Sequence, residues 1–85
     1  MNSVFGSLFI VSTPLGNLKD ITLRALNIMK NSYLIAAEDT RKSQILLNEY
    51  NIKTKMISYH EHNSHNRIKT IISYLKNGKN IALIS

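Results

Sequence analysis

Apolar residues gather along this chain in two rhythms. Short runs occur at Leu8–Val11, Tyr33–Ala37 and Ile81–Ile84, with a mixed run at about Lys55 to Tyr59. Each has four or five residues, the length of a buried strand. Between the runs, apolar positions fall at helical spacing. Ile21, Ala25, Ile28 and Met29, flanked by Leu23 and Leu26, form one stripe, and Ile45, Leu46, Leu47 and Tyr50 form a second. Ile68, Ile71, Ile72 and Leu75, at i, i+3, i+4 and i+7, give the cleanest amphipathic helix. The predicted order is βαβαβαβ. Short apolar strands joined through helices imply an α/β fold with a parallel sheet, helices on both faces and right-handed crossovers.

Local punctuation supports these boundaries. Pro14 has a fixed φ and no N–H, so the first strand stops before it. Gly16 tolerates angles other residues resist and permits close approach by a ligand. Asp20 is the expected N-cap of the first helix, with Thr22 as the alternative. Asp39 or Thr40 caps the second helix, and Asn51 is a left-handed stop for it. Asn63 or Ser64 caps the third, and Gly78 follows it as the C′ residue. The fourth strand comes last in the chain, so Ile81, Leu83 and Ile84 are expected to lose part of their cover.

Composition narrows the class. Eighty-five residues make at most one small domain, which buries only about 60–65% of its unfolded surface. There is no cysteine, hence no disulfide framework and no thiolate chemistry. Nothing resembles a signal peptide, and no stretch approaches the ~20 apolar residues of a membrane span. A cytoplasmic protein is expected. The net charge of +6 suits an anionic partner such as nucleic acid, although lysines scattered on helix surfaces produce the same balance.

Three polar clusters, Thr13–Asn17, Glu38–Arg41 and His60–Asn63, each follow a predicted strand. In a parallel sheet all three lie at the carboxyl edge, where ligands bind. The opposite connections, near Asn31, Lys53 and Asn77, read as plain turns. The first cluster lacks both the three-glycine dinucleotide fingerprint and the lysine of a P-loop, so nothing points to NAD or ATP. Glu38 and Asp39 suit either helix capping or catalysis. Arg41 suits pairing with one of them, or a bidentate grip on phosphate or carboxylate. In an extended segment His60 and His62 would share a face, with Glu61 opposite. Two histidines without a third ligand make an incomplete metal site, so no metal is expected, and His60 reads as a hydrogen-bonding group or general base.

The segments FIVSTPLGNLKDITLRAL, LIAAEDTRKSQILLN and ISYHEHN together resemble the start of the bacterial 16S rRNA cytidine 2′-O-methyltransferase family, within the tetrapyrrole (corrin/porphyrin) methylase superfamily. The resemblance runs from about Leu8 to Ser85. It implies an S-adenosyl-L-methionine-dependent enzyme of two α/β domains, with the cofactor between them, acting as a homodimer on 16S rRNA or the small ribosomal subunit. It also implies that Pro14 and Gly16 line the cofactor cleft. Glu38, Asp39 and His60 become candidates for the base, and Asn17, Thr40, Arg41, Glu61 and His62 for substrate contact. Family members continue past the fourth strand with an Asp-Ala-Gly-Thr-Pro-like loop, whereas this sequence stops at Ser85. The expectation is an amino-terminal domain over residues 1–85, incomplete and inactive alone. The alternatives are a tetrapyrrole methylase of the same superfamily and a non-enzymatic remnant that binds RNA weakly or not at all.

Overall fold

The computed structural model describes residues 4–14 and 16–85; Leu15, inside the first polar cluster, lies outside them. Four strands, β1 (Leu8–Val11), β2 (Leu34–Ala37), β3 (Lys55–Ser58) and β4 (Ile81–Ile84), alternate with α1 (Leu23–Asn31), α2 (Thr40–Glu49) and α3 (Ser64–Lys76). A 3₁₀ turn over Leu18–Asp20 precedes α1. All strand pairs are parallel, in the order β1-β4-β2-β3. In register, Leu8, Ile81, Leu34 and Lys55 form one row across the sheet, and Val11, Ile84, Ala37 and Ser58 another.

The topology explains which face each helix covers. The steps from β1 to β2 and from β2 to β3 run one way along the sheet, and the step from β3 to β4 runs back. Crossovers of one hand then place α1 and α2 on one face and α3 on the other. The cores agree. Ala25 and Met29 of α1 and Leu46 and Leu47 of α2 pack with Val11, Ile35, Ala37, Ala82 and Ile84. On the other face, Ile71 of α3 packs with Leu34, Ala36 and Ile81.

Several expectations are corrected. The fourth strand is central, between β1 and β2, so Ile81 and Ile84 are buried, and only Leu83 is half-covered. The uncovered strand is β1 instead. On the α3 face Leu8 is 46% and Ile10 71% exposed, so the sheet is not covered on both faces throughout. Ile45, Ile68 and Ile72 are also exposed despite their periodicity. Thr22, not Asp20, caps α1; its Oγ1 accepts the Ala25 N–H at 3.0 Å, while Asp20 closes the 3₁₀ turn. Tyr33 and Tyr59 fall just outside their strands.

Other signals held. Asn51 takes φ 54° after α2, and Gly78 takes φ 81° after α3. The Asn51 N–H donates to the Asn48 carbonyl at 3.2 Å. The Gly78 N–H donates to the Leu75 carbonyl at 3.1 Å, closing α3. Gly6 answers a different need. Its N–H donates to the Leu75 carbonyl at 2.7 Å, and a Cβ there would be driven into the Lys79 backbone.

Candidate active site

The three polar clusters do meet at the carboxyl edge of the sheet, around two cavities that share Glu38 and Asp39. The first, about 480 Å³, lies between the loop after β1 and the start of α2. Thr13, Pro14 and Gly16 form one wall, and the buried Leu46 and Ile84 contribute to its floor. The loop is tied to β4. Both the backbone N–H and the hydroxyl of Thr13 donate to the Ser85 carbonyl, and the Ser85 N–H donates to the Val11 carbonyl. On the far side, the Tyr50 hydroxyl donates to the Leu18 carbonyl at 2.6 Å, holding the 3₁₀ turn. Gly16 is not required by a left-handed backbone or by packing, since nothing lies within 4 Å of a Cβ placed on it. The space it opens belongs to the cavity.

The second cavity, about 690 Å³ and more open, lies between the start of α2 and the turn after β3. Glu38, Asp39, Thr40 and Arg41 form one side, and His60, Glu61 and His62 the other. No apolar side chain lines it.

The shared acids differ in what holds them. Asp39 Oδ1 accepts the N–H groups of Arg41 and Lys42, each at 3.1 Å, so this carboxylate caps α2. Glu38 is exposed, with no hydrogen bond or ion pair to its carboxylate among the described residues. Arg41 likewise has no carboxylate partner among them, so it does not pair with Glu38 or Asp39. Its fork of donors faces solvent.

The histidine segment is a turn rather than an extended strand, because β3 ends at Ser58. His60 and His62 are still neighbours, but Glu61 lines the same cavity as both rather than lying opposite them. Their ring centroids are 5.8 Å apart at 67°, edge to face. Glu61 and His62 are 88% and 84% exposed and 3.8 Å apart, a contact that water screens almost completely. Among the described residues, no group of three or more His, Asp or Glu could hold a metal ion.

Asn17 is not brought to either cavity. Its Oδ1 accepts the Lys19 N–H at 2.9 Å and caps the 3₁₀ turn. Conversely, Lys42, Ser43 and Ile84 line the first cavity without having been singled out in the sequence. Lys42 and Ser43 follow Asp39 by three and four residues, one helical turn, which puts them beside the cap. Ile84 ends a parallel strand, so it too belongs at this edge.

The tetrapyrrole (corrin/porphyrin) methylase family matches residues 7–85. The chain is 52% identical over 80 residues to ribosomal RNA small subunit methyltransferase I of Thermotoga maritima, covering 94% of this chain and 36% of the relative. It is 51% identical over 83 residues to the protein of that name in Bacillus subtilis, covering 98% and 28%. For the Pasteurella multocida relative the identity is 49% over 85 residues, covering 100% and 30%. The chain thus spans about a third of the length of these relatives.

Proposed function

Because this chain belongs to the tetrapyrrole (corrin/porphyrin) methylase family, we propose that it forms part of an S-adenosyl-L-methionine-dependent enzyme that 2′-O-methylates a cytidine of 16S ribosomal RNA. The observation that carries this reading is the pair of cavities meeting at Glu38 and Asp39. Methyl transfer needs two ligands on either side of one point, and the two cavities differ as those ligands do.

The first cavity suits the cofactor. Its volume falls within the roughly 300–1,000 Å³ of small-molecule sites. Leu46 and Ile84 offer apolar contact, Gly16 leaves room beside Pro14, and Glu38 and Asp39 bring negative charge for a sulfonium. When bound, the cofactor supplies an activated methyl carbon and a neutral thioether leaving group. The second cavity suits ribose and phosphate. Glu38, Thr40 and the turn residues can meet hydroxyls, and Arg41 can grip a phosphate without reading sequence.

The work left to this chain is alignment and proton removal. The 2′-hydroxyl oxygen forms the new bond to carbon while its proton passes to a base. Glu38 is the best-placed base, with an unencumbered carboxylate on both cavities. The Oδ1 atom of Asp39 is occupied by the cap, and the ring nitrogens of His60 face donors from its own turn. A positioned base contributes about 10²–10⁴-fold to such a step. In this reading a second domain closes the open side of the cofactor cavity. The homodimer carries over from the resemblance alone, and a ribosomal substrate implies the cytoplasm. Among the described residues, no helix is long and apolar enough to cross a membrane.

The tetrapyrrole alternative fits less well, because a broad macrocycle needs apolar walls that the second cavity does not provide. The test is a chimaera in which these 85 residues replace the matching segment of the Thermotoga maritima relative. With labelled cofactor it is expected to methylate small-subunit RNA at a cytidine 2′-oxygen. Methylation of a tetrapyrrole but not RNA would overturn the reading.

A further inference from the structure

Asn63 occupies the N-cap position of α3, yet its side chain makes no capping bond. An asparagine there ordinarily accepts an N–H from the first helical turn, which contributes about 1 kcal/mol. Here the side chain turns back toward β3. Its Oδ1 accepts the His60 backbone N–H at 2.9 Å, and its Nδ2 donates to Ser58 Oγ at 2.9 Å. Because an N–H can only donate, the first of these bonds fixes which way the amide points. Nδ2 is then the atom presented to His60 Nε2, at 3.3 Å.

The other ring nitrogen is approached as well. The His62 backbone N–H donates to His60 Nδ1 at 3.2 Å. A neutral imidazole has one bare nitrogen and accepts from one donor at a time, so the bond from Asn63 forms in the tautomer whose Nε2 is bare, and the His62 N–H bonds only in the other. Behind Asn63 stands Arg67, half-buried and one turn along α3. Its Nε donates to the Ser58 carbonyl at 3.0 Å, and its Nη2 lies 3.5 Å from Ser58 Oγ. This guanidinium, without a carboxylate partner among the described residues, braces the end of β3.

We propose that Asn63 is a positioning residue for the His60 imidazole, with Ser58 and Arg67 as its support. A helix-capping side chain has been reassigned from the helix to the wall of the second cavity. Ser58, Asn63 and Arg67 fix the rotation of His60, and through it the turn that carries Glu61 and His62. The consequence for RNA rests on the reading given above, in which this turn contacts substrate.

The test uses ¹⁵N-labelled 85-residue chain and reads the His60 ring nitrogens and backbone amide exchange by NMR. Asn63→Ala is expected to move the His60 ring signals and to speed exchange of the His60 amide by roughly five- to tenfold, as for loss of one hydrogen bond. Exchange of the Asn66 amide, which a capping side chain would protect, should be unchanged. Asn63→Asp keeps the acceptor, so it should retain His60 amide protection while still moving the ring signals. Ser58→Ala lies outside the helix and should move them too, which keeps the test valid if Asn63→Ala unfolds. If these variants leave the His60 ring signals in place, or if Asn63→Ala instead deprotects Asn66, the assignment is overturned and Asn63 is a cap. In the chimaera, Asn63→Ala should raise KM for RNA about fivefold, with KM for the cofactor unchanged. A wild-type chimaera that methylates nothing would count against the functional reading, while the NMR result would still decide the role of Asn63.

Discussion

The cavity beside β1 has an apolar floor and is walled by a loop pinned at both ends, through Thr13 to Ser85 and through Leu18 to Tyr50. The cavity beside β3 has only polar walls, and its outermost residues, Glu61 and His62, are almost fully exposed. In the proposed reading one holds the compact cofactor against fixed surfaces, and the other meets the large, hydrated RNA. The difference follows from strand position. β4 is central, so its last side chain, Ile84, is buried and can serve as a floor. β3 is an edge strand, and the turn after it has neighbours on one side only.

Substitutions can break this division of labour or sharpen it. The largest effect should come from the shared wall. In the chimaera, Glu38→Gln is expected to lower the rate of methyl transfer about 10²–10⁴-fold, a larger change than in the equilibrium binding of cofactor or RNA. If the rate holds, Glu38 is not the base. Next comes the floor of the first cavity. Ile84→Ala should destabilise the 85-residue chain by about 2–5 kcal/mol, seen as a lower urea midpoint. Domains of this kind have stabilities of about 5–15 kcal/mol, so at the low end of that range the variant would keep only about 0–3 kcal/mol.

Arg41→Ala touches only the second cavity. It should weaken RNA binding by the chimaera about tenfold, and reduce the dependence of log affinity on log salt by about one. Cofactor affinity should not change; a parallel loss would mean that the two cavities are not separate. The smallest effect is expected at the cap. Asp39→Ala should cost about 1 kcal/mol of stability, and Asp39→Asn, which still accepts from Arg41 and Lys42, only a few tenths. If Asp39→Asn were instead as inactive as Glu38→Gln, the base would have to be reassigned.

The order of elements was legible because strands and helices of this kind carry their period in adjacent residues. Leu8–Val11 and Ile81–Ile84 match their strands to the residue. The convergence of the three clusters was legible as well, since parallel strands put every following loop at one edge. Strand order was not. Ile81–Ile84 is last in the chain but central in the sheet, and nothing within those four residues records that β4 inserts between β1 and β2. Caps were ambiguous for a similar reason. Asp20 and Thr22 are both good N-caps, and the 3₁₀ turn that takes up Asp20 decides between them. Within the site, residue type did not separate Glu38 from Asp39. Only the placement of the Asp39 Oδ1 atom over two N–H groups leaves Glu38 as the unbonded acid. Leu46 read as ordinary core, which it also is, and Ile84 as a strand residue expected to lose part of its cover, whereas it is buried.

The central place of β4 also governs how the chain reaches this state. β1 pairs with β4 and with no other strand, and the pairing of Leu8 with Ile81 spans nearly the whole sequence. At ribosomal elongation rates of roughly 5–20 residues per second, β1 waits about 4–15 s for its partner to be made. Throughout that interval Phe9 and Val11 have no sheet to join, and β2 and β3 can associate only with each other. Closing so long a loop is slow. The arrival of Ile81–Ile84 therefore joins the four described strands into one sheet, and a nascent chain short of Ile81 exposes an apolar segment for chaperones to shield.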